Sequence, residues 1–244
     1  MYKTILKNDQ ETAVKSRVMK NVDQYTYISI LHKMNDIKEF NVLLNTYFDK
    51  FIKEYNVYAK EVVSYTTREK REGEIDGREH YFITKERAKE ILESSDILAY
   101  TKIGEYEYFT TKQQLKDSNI YIIDPKGIEY LKESNPDLNI KVIYISIPDN
   151  IREERCKNRS DYDTAYKKRY ESENEQFTKF EESKSWDINI INTDIITSLS
   201  QFIEYIIYEM NSRVQPLFLI VARTGSGKDT LLNEAKRLIN GEGI

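Results

Sequence analysis

Short apolar runs alternate with amphipathic segments over most of the chain, and this alternation predicts its fold. The apolar runs predict strands at 61–65, 119–123, 140–147, 188–191 and 217–221. Runs that are apolar on both faces are typical of parallel strands buried between helices. Helical periodicity predicts helices near 85–93, 126–133, 149–158, 163–182 and 198–210. Strands interleaved with helices therefore predict an α/β fold with a mainly parallel central sheet.

The first part of the chain, residues 1–56, carries no chemical motif. Its clearest element is 40–55, where Phe40, Leu43 and the apolar residues after them recur at the spacing of one helix face. We expect this amphipathic helix to pack on the rest of the protein, and a dimer or partner contact is the alternative. The segment 25–31 fits a strand or a helix equally well. The pattern thus predicts a mostly helical N-terminal extension.

Composition narrows the class of protein. The 244 residues include 37 basic and 41 acidic side chains, which give a formal net charge of −4. Proteins that wrap nucleic acid are usually basic, so we expect no nucleic-acid partner and look for local clusters of Arg and Lys. Cys156 is the only cysteine, which excludes an intrachain disulfide. No run reaches the roughly 18 apolar residues of a membrane span, and the polar N-terminus lacks a secretion signal. We therefore expect a cytoplasmic protein with no membrane partner.

A phosphate-binding loop is predicted after the apolar run 217–221. The residues expected to hold ATP phosphates are Gly225, Ser226, Gly227, Lys228, Asp229 and Thr230. A strand, a glycine-containing turn, a lysine and a helix in this order form the context of a P-loop. Backbone N–H groups and the positive end of the helix can surround phosphate oxygens, and Lys228 can reach the outer phosphates.

Two positions depart from the usual P-loop pattern. Ala222 replaces the first glycine, and Asp229 stands where Ser or Thr normally helps to hold Mg²⁺. Because an Asp can bind the metal directly or through water, we interpret the loop as functional.

The position of the loop is unusual. P-loop proteins build their sheet from residues that follow the loop, whereas here the chain continues only to Ile244. The sheet must therefore come from residues ahead of the loop, which indicates a permuted order.

Residues 64–82 begin Ser-Tyr-Thr-Thr-Arg-Glu-Lys-Arg-Glu-Gly-Glu-Ile-Asp-Gly, and they closely resemble the nucleotide-binding segment of guanylate kinases. In that family the segment grips the acceptor monophosphate. The resemblance implies that Ser64, Arg68, Arg71 and Glu74 surround the phosphate and base of the acceptor. Two guanidinium groups three residues apart can clamp one phosphate with paired hydrogen bonds.

Two further stretches resemble the same family. Residues 104–111 resemble its Tyr-Gly-Ser/Thr segment, which implies that Tyr108 and Thr110 contact the acceptor. Residues 120–127 resemble its strand-end Asp-x-x-Gly segment and so place Asp124 at the carboxyl end of a parallel strand, where α/β proteins hold ligands. There Asp124 would accept a hydrogen bond from a base N–H or hold a water on Mg²⁺.

Residues 152–175 resemble the mobile lid of the family, whose arginines close over ATP. Its arginines are Arg152, Arg155, Arg159 and Arg169. The last three, acting with Lys228, are the candidates for stabilising the transferring phosphoryl group. Salt bridges on a helix surface are the alternative for any one of these arginines.

Three single positions complete the comparison. Asn192 matches a family position near the adenine. His80 stands where the family usually has a phosphate-binding tyrosine, so it either binds the acceptor phosphate or serves packing and hydrogen bonding. Ala99 stands where guanylate kinases usually carry a glutamate that reads guanine. Its absence leaves the base preference open, because hydrogen bonds to base edges dominate such discrimination.

The resemblance covers 57–244 when the strand and helix of the P-loop, 217–240, are placed first. It implies a three-layer P-loop kinase fold, circularly permuted, with an acceptor-binding region at 64–112 and a lid at 152–175. A natural or engineered permutation, a truncated tandem and a domain swap are alternative origins of this order.

The implied activity is transfer of a phosphoryl group from ATP to a nucleoside monophosphate, with GMP or dGMP the first acceptor to test. ATP and Mg²⁺ are the implied cofactors, with the metal near Asp229, Thr230 and Asp124, and small nucleotides are the implied partners. The alternative is a guanylate-kinase-like module that has lost catalysis and recognises a protein partner. A monomer and a homodimer are both compatible with the sequence.

Overall fold

The computed structural model describes residues 52–53, 56–157, 167–210 and 214–240, with the backbone alone for 167–172. The segment 25–31 and nearly all of the predicted helix 40–55 lie outside the described residues. Ile52 is helical and packs against the hydrophobic core of the domain.

Strands and helices alternate along the described chain. The strands are β1 Tyr65–Thr66, β2 Tyr81–Phe82, β3 Ile97–Ile103, β4 Tyr106–Thr111, β5 Ile120–Ile122, β6 Ile140–Ser146, β7 Ile188–Ile191 and β8 Leu217–Ala222. The helices are α1 Lys85–Ser94, α2 Lys112–Leu115, α3 Pro125–Ser134, α4 Asp149–Lys157, α5 Lys167–Ser183, α6 Ile195–Met210 and α7 Lys228–Ile239. Every predicted helix that lies in the described ranges is present, with ends within a few residues of the prediction.

The central sheet contains β5, β8, β6 and β7 in that order, and all neighbouring strands are parallel. The last strand along the chain, β8, therefore lies inside the sheet, where Ile220 pairs with both Ile122 and Ile143. This arrangement confirms the predicted α/β fold with a parallel sheet.

Alternate residues of β8 enter two different hydrophobic cores. Phe218 and Ile220 pack with α6 and α7 on one face, whereas Leu217, Leu219 and Val221 pack with α3 and α5 on the other. All five side chains are almost completely buried. Helices thus cover both faces of the sheet, which explains why the strand is apolar at every position.

The predicted strand at 61–65 is wrong for most of its length. Glu61 makes an isolated parallel bridge with Ile120, and the chain then leaves the central sheet. Only Tyr65 of this run belongs to a strand, β1, which pairs antiparallel with β4. Val62 is buried where the chain crosses between the two sheets, while Val63 and Tyr65 are half-buried.

A second sheet, in the order β2-β1-β4-β3, was not predicted. Its longest strands, β3 and β4, form an antiparallel hairpin that turns at Gly104, which has φ 59°. β3 begins with the short apolar run 97–100, but the polar residues Thr101 and Lys102 follow it, and no strand was predicted there. Within the ranges that the structure describes, no helix is long and apolar enough to cross a membrane.

Candidate active site

The carboxyl ends of the four parallel strands meet at one edge of the central sheet. The phosphate loop follows β8, Asp124 follows β5, α4 follows β6 and Asn192 follows β7. Parallel α/β sheets bind ligands at this edge because the loops after neighbouring strands lie side by side. Residues that are far apart in the sequence are therefore brought together around the loop.

The loop itself depends on two glycines with positive φ. Gly227, φ 78°, is the N-cap of α7, and a Cβ built there would lie 2.8 Å from Asn192 Nδ2 and 3.0 Å from Arg155 Nη1. Gly225 has φ 85°, and a Cβ built there would lie 2.3 Å from Cys156 Sγ. Both the backbone conformation and the close packing of α4 and Asn192 thus require glycine at these positions.

The carbonyl of Ser226 joins the loop to two neighbouring elements. Asn192 Nδ2 donates to it at 2.8 Å and Arg155 Nη1 at 3.2 Å. Arg155 Nη2 also donates to the carbonyl of Asn192 at 3.0 Å. Arg155 and Asn192 therefore lie directly against the loop, and in this structure Arg155 holds its backbone.

The first turn of α7 carries Lys228, Asp229 and Thr230. Lys228 Nζ lies 2.5 Å from Asp229 Oδ1, and the Asp229 side chain is 71% exposed. Mg²⁺ prefers carboxylate, hydroxyl and phosphate oxygens, and these side chains lie next to the loop that would hold the phosphates. Asp124 N-caps α3, where its Oδ1 accepts from Gly127 N at 2.9 Å. Among the described side chains no group of three or more His, Cys, Asp or Glu is found, so a metal held here would need ligands from a bound nucleotide as well.

Arg68 is held by Glu74 within residues 64–82, the predicted acceptor segment. Its Nη1 and Nη2 donate to the two carboxylate oxygens at 2.7 and 2.6 Å, and its guanidinium lies 5.1 Å from the ring centroid of Phe82. The hydrogen bond from Arg68 is the largest effect on Glu74. Together with the hydrogen bond from Arg71 N it lowers the pKa of Glu74 to about 2, although burial acts in the opposite direction. Arg71 itself is exposed. The structure thus pairs Arg68 with Glu74, which the sequence did not predict.

His80 lies beside this pair. Its Nδ1 is 2.8 Å from Ser64 Oγ, and its ring lies 5.7 Å from that of Tyr108. Burial, and then the charge of Arg68, lower the pKa of His80 to about 4. His80 is therefore neutral at pH 7 and can exchange hydrogen bonds without adding a charge to the site.

Ala99 and Thr110 face each other across the β3–β4 hairpin. Both are buried, and Thr110 Oγ1 donates to Tyr121 Oη at 2.8 Å. Burial raises the pKa of Tyr121 to about 12, so the phenol keeps its proton. The Thr110 hydroxyl is thus engaged by the Tyr121 hydroxyl, and its partner across the hairpin carries only a methyl group.

The other three lid arginines differ in position. Arg159 lies outside the described residues. Arg169 lies on the first turn of α5, where the backbone alone is described. Arg152 is buried and pairs with Asp149, Nη2 to Oδ1, at 2.9 Å, so it packs beneath the loop and does not face solvent.

Contacts between the loop and α5 involve four residues that the sequence did not single out. Arg223 and Thr224 belong to the loop, and they donate hydrogen bonds to Glu181 and Glu173 of α5. Next to them a cavity of about 380 Å³ lies between α4, α5 and the ends of β6 and β8. No short motif joins residues of α5 to residues some 40 to 50 positions later, so only the packing reveals these contacts.

Comparison with known proteins places the chain among its relatives. The family model for guanylate kinase matches residues 40–209. Guanylate kinase of Francisella tularensis subsp. tularensis is 31% identical over 157 residues, which cover 61% of this chain and 80% of that protein. Guanylate kinase of Clostridioides difficile is 30% identical over 163 residues, which cover 62% of this chain and 75% of that protein. The crystal structure of guanylate kinase from Anaplasma phagocytophilum matches with a TM-score of 0.46 at 20% identity, over 67% of this chain and 82% of that one.

The family match spans more than half of the 244 residues and includes the acceptor segment, α4, α5 and the central strands β5, β6 and β7. The chain belongs to the guanylate kinase family.

Proposed function

We propose that this protein transfers a phosphoryl group from ATP to a nucleoside monophosphate or its deoxy form, with GMP or dGMP as the first acceptor. The observation that carries the proposal is the phosphate loop. Its two glycines have positive φ, its helix α7 begins at Lys228, and it lies among neighbouring strand ends. A loop of this kind binds polyphosphate through backbone N–H groups and the positive end of the helix.

The acceptor would bind beside the second sheet. Arg68, Ser64, His80 and Tyr108 cluster there, and Arg71 is exposed next to them. Arg71 is exposed three residues after Arg68, so its guanidinium would meet an incoming phosphate together with that of Arg68. Glu74 keeps Arg68 in place, and the neutral His80 supplies a hydrogen-bonding group to the same cluster.

The base site is the part of this proposal that bears on specificity. The Ala99 side chain offers no acceptor for the N–H groups of guanine, and Thr110, its partner across the hairpin, is hydrogen-bonded to Tyr121 of β5. A site that lacks a charged acceptor discriminates bases less strongly. GMP and dGMP are the first acceptors to test because the chain belongs to the guanylate kinase family. Other monophosphates belong in the same assay because Ala99 leaves the base preference open.

Phosphoryl transfer needs positioning and neutralisation of charge more than covalent chemistry. Lys228 would hold the outer phosphates of ATP, and Arg155, Arg159 and Arg169 would surround the transferring group. Asn192 would contact the adenine from its place beside the loop. Since the acceptor is already a phosphate, no general base is required.

Mg²⁺ would be held by Asp229, Thr230 and Asp124 together with phosphate oxygens. The metal would supply charge neutralisation for the phosphates. Asp229 has to exchange its contact with Lys228 for this role, which leaves Lys228 available for phosphate.

We further propose that the chain is a circular permutant of its family. The family match ends at residue 209, ahead of β8, yet β8 occupies an inner position of the sheet. The end of α7 also contacts the residues that precede the acceptor segment. Asn240 Nδ2 donates to the Ala59 carbonyl at 3.0 Å, and Ala59 N donates to Asn240 Oδ1 at 3.1 Å. A chain that ran directly from α7 into residue 59 would follow the order that the resemblance implies.

The proposed activity is tested by measuring ADP formation from ATP and Mg²⁺ with GMP, dGMP, AMP, CMP, UMP and dTMP in turn. We expect turnover with one or a few acceptors and a loss of at least about 100-fold in kcat/KM for Lys228→Ala, because a loop lysine contacts the transferring group. Lys89→Ala, which removes an exposed lysine on α1, is the matched control and should leave turnover unchanged. No turnover from folded protein that still binds a monophosphate would favour the binding module that recognises a protein.

A further inference from the structure

Two residues of the phosphate loop are held by carboxylates of α5. Arg223 Nε and Nη2 donate to Glu181 Oε1 and Oε2 at 2.8 and 2.9 Å. Thr224 N and Oγ1 donate to Glu173 Oε2 and Oε1 at 3.1 and 2.5 Å. The helix thus contacts two successive loop residues, and each contact has two hydrogen bonds.

Arg223 is fully engaged by α5 and its surroundings. Its third nitrogen, Nη1, donates to Asn174 Oδ1 at 3.3 Å, and its guanidinium stacks 5.0 Å from the ring centroid of Phe177. The Arg223 side chain is only 12% exposed. An arginine in a phosphate loop would ordinarily be assigned to phosphate binding. Here all three nitrogens donate to side chains of one helix.

Glu181 has a second partner on the central sheet. Tyr144 Oη, at the carboxyl half of β6, donates to Glu181 Oε1. Burial raises the pKa of Glu181, but the hydrogen bonds from Arg223 and Tyr144 outweigh it and keep the pKa below its usual value. The pair Arg223–Glu181 is therefore ionised at pH 7 and anchored to β6 as well as to α5.

The loop is contacted on another side by α4, through Arg155 at the Ser226 carbonyl and Cys156 against Gly225. It therefore lies between the two helices that flank residues 158–166. Because α5 begins with the turn that carries Arg169, a shift of α5 would be transmitted to Arg223 and Thr224.

We propose that Glu181 and Glu173 are positioning residues that hold the phosphate loop in its ATP-binding shape through Arg223 and Thr224, and that Arg223 serves this tether and not the phosphate. The choice of ATP as the ligand rests on the proposed function. The tether couples the loop to α5, so that the loop and the arginine of the first turn of α5 keep one relative position.

The test is a double-mutant cycle on the dissociation constant for ATP, measured by calorimetry with Glu181→Gln, Arg223→Met and the double variant. We expect each single variant to weaken ATP binding about tenfold, and the double variant to bind no more weakly than the singles within about twofold, because both changes remove the same tether. Met keeps the packing on Phe177, and Gln keeps an acceptor for Tyr144.

A direct phosphate contact by Arg223 gives a different pattern. Arg223→Met would then weaken ATP binding while Glu181→Gln left it unchanged or tightened it, because the freed guanidinium could reach the phosphate. That result, or single effects that multiply in the double variant, would overturn the proposal.

The pair Arg237–Glu234 on α7 supplies a matched control. It is also an Arg–Glu pair with two hydrogen bonds, and its side chains are 25% and 20% exposed. Glu234→Gln should leave the dissociation constant for ATP unchanged. If Arg223→Met or Glu181→Gln fails to fold by circular dichroism, Glu173→Gln and Thr224→Val repeat the cycle on the second contact.

ATP binding separates this inference from the proposed activity. Wild-type protein that binds ATP but phosphorylates no monophosphate would refute the proposed kinase reaction, and the cycle would still decide the role of Arg223. Wild-type protein that binds no ATP would refute both.

Discussion

Charge at the acceptor site is set by individual residues and their immediate partners. Arg68 and Glu74 neutralise each other through two hydrogen bonds, while His80 is neutral because it is buried beside a guanidinium. In the proposed acceptor site His80 would therefore add no positive charge, and the exposed Arg71 lies in the same segment. The pKa values of His80 and Glu74 also make the stability of the fold depend on pH in two separate windows.

The first prediction concerns His80. Its pKa is about 4 in the fold and near 6.5 in an unfolded chain, so the unfolded state binds more protons between these values. Stability is therefore full above pH 6.5 and falls as the pH drops towards 4, by up to about 1.4 kcal/mol per pH unit. Glu74, with its pKa lowered to about 2, loses its contribution only below pH 4.5.

We expect the free energy of unfolding in urea to decline more steeply between pH 6.5 and 4.5 for wild type than for His80→Gln. The glutamine keeps a hydrogen-bonding partner for Ser64 and removes only the titrating group. Parallel pH profiles for the two proteins would show that His80 does not contribute.

The second prediction concerns Gly227. An alanine there is strained by φ 78° and would lie 2.8 Å from Asn192 Nδ2, so Gly227→Ala should lower stability by about 2 kcal/mol and weaken ATP binding more than tenfold. Gly104 also has positive φ but has open space around its missing Cβ. Gly104→Ala is thus the control for backbone strain alone and should leave ATP binding unchanged. Equal ATP affinities of the two variants would contradict a packed loop.

At the level of elements, β8 and α7 are held to the rest of the domain by contacts with residues that are distant in the sequence. β8 pairs with two strands, and α7 packs on α6. At its far end, Asn240 binds the backbone of Ala59, and Lys236 Nζ lies 2.7 Å from Glu61 Oε2. These contacts connect the end of α7 to the start of the acceptor segment.

The third prediction tests this connection. Asn240→Ala removes both hydrogen bonds to Ala59, which is 1% exposed, and leaves a buried N–H and C=O unpaired. The free energy of unfolding should fall by about 2–3 kcal/mol. Asn139→Ala, which loses one exposed hydrogen bond to the Val214 carbonyl, should cost less than about 1 kcal/mol. A cost for Asn240→Ala as small as that of the control would show that the end of α7 is not docked.

On the scale of the whole molecule, the order of the chain and the order of the sheet disagree. The strand that comes last in the sequence lies between β5 and β6, so the sheet cannot be completed before the C-terminal part of the chain is present. The contact between Ala59 and Asn240 joins residues 181 positions apart, and contacts of such separation slow folding because a long loop must close first. A permuted or swapped assembly would share this arrangement of strands.

The fourth prediction is that the strand and helix at the C-terminal end can be moved ahead of the rest of the domain without loss of the fold. We expect a protein in which residues 214–240 precede residue 57 through a short Gly/Ser linker, and which ends at residue 210, to fold and bind ATP. The hydrogen bonds between Asn240 and Ala59 show that a few residues can span the junction. The matched control keeps the original order and lacks residues 1–56, so that both proteins lose the same extension.

A reordered protein that does not fold while this control folds would contradict the permutation. Light scattering on both proteins also separates a closed monomer from a domain swap. In a swap the original order would give dimers, because β8 would complete the sheet of a second copy.

Periodicity and motif context were sufficient for the parts of the molecule that rest on local physics. The apolar runs at 140–147 and 217–221 predicted buried parallel strands, since a strand covered on both faces must be apolar throughout. Gly225 and Gly227 predicted the tight turn between β8 and α7, because its positive φ angles depend on its own residues, while phosphate binding by this turn stays a prediction. The hairpin of β3 and β4 and the crossing at 61–65 could not be found in this way, since their burial comes from a second sheet.

Other properties depend on residues that meet only after folding. The inner position of β8, the contacts of Glu173 and Glu181 with the loop, and the neutral state of His80 all depend on partners distant in the sequence. Hydrogen bonds and desolvation act over a few ångströms in space, whereas periodicity reports only on neighbours along the chain. The conformation of the loop was therefore predictable from its own residues, and the way that the rest of the protein holds it was visible only in three dimensions.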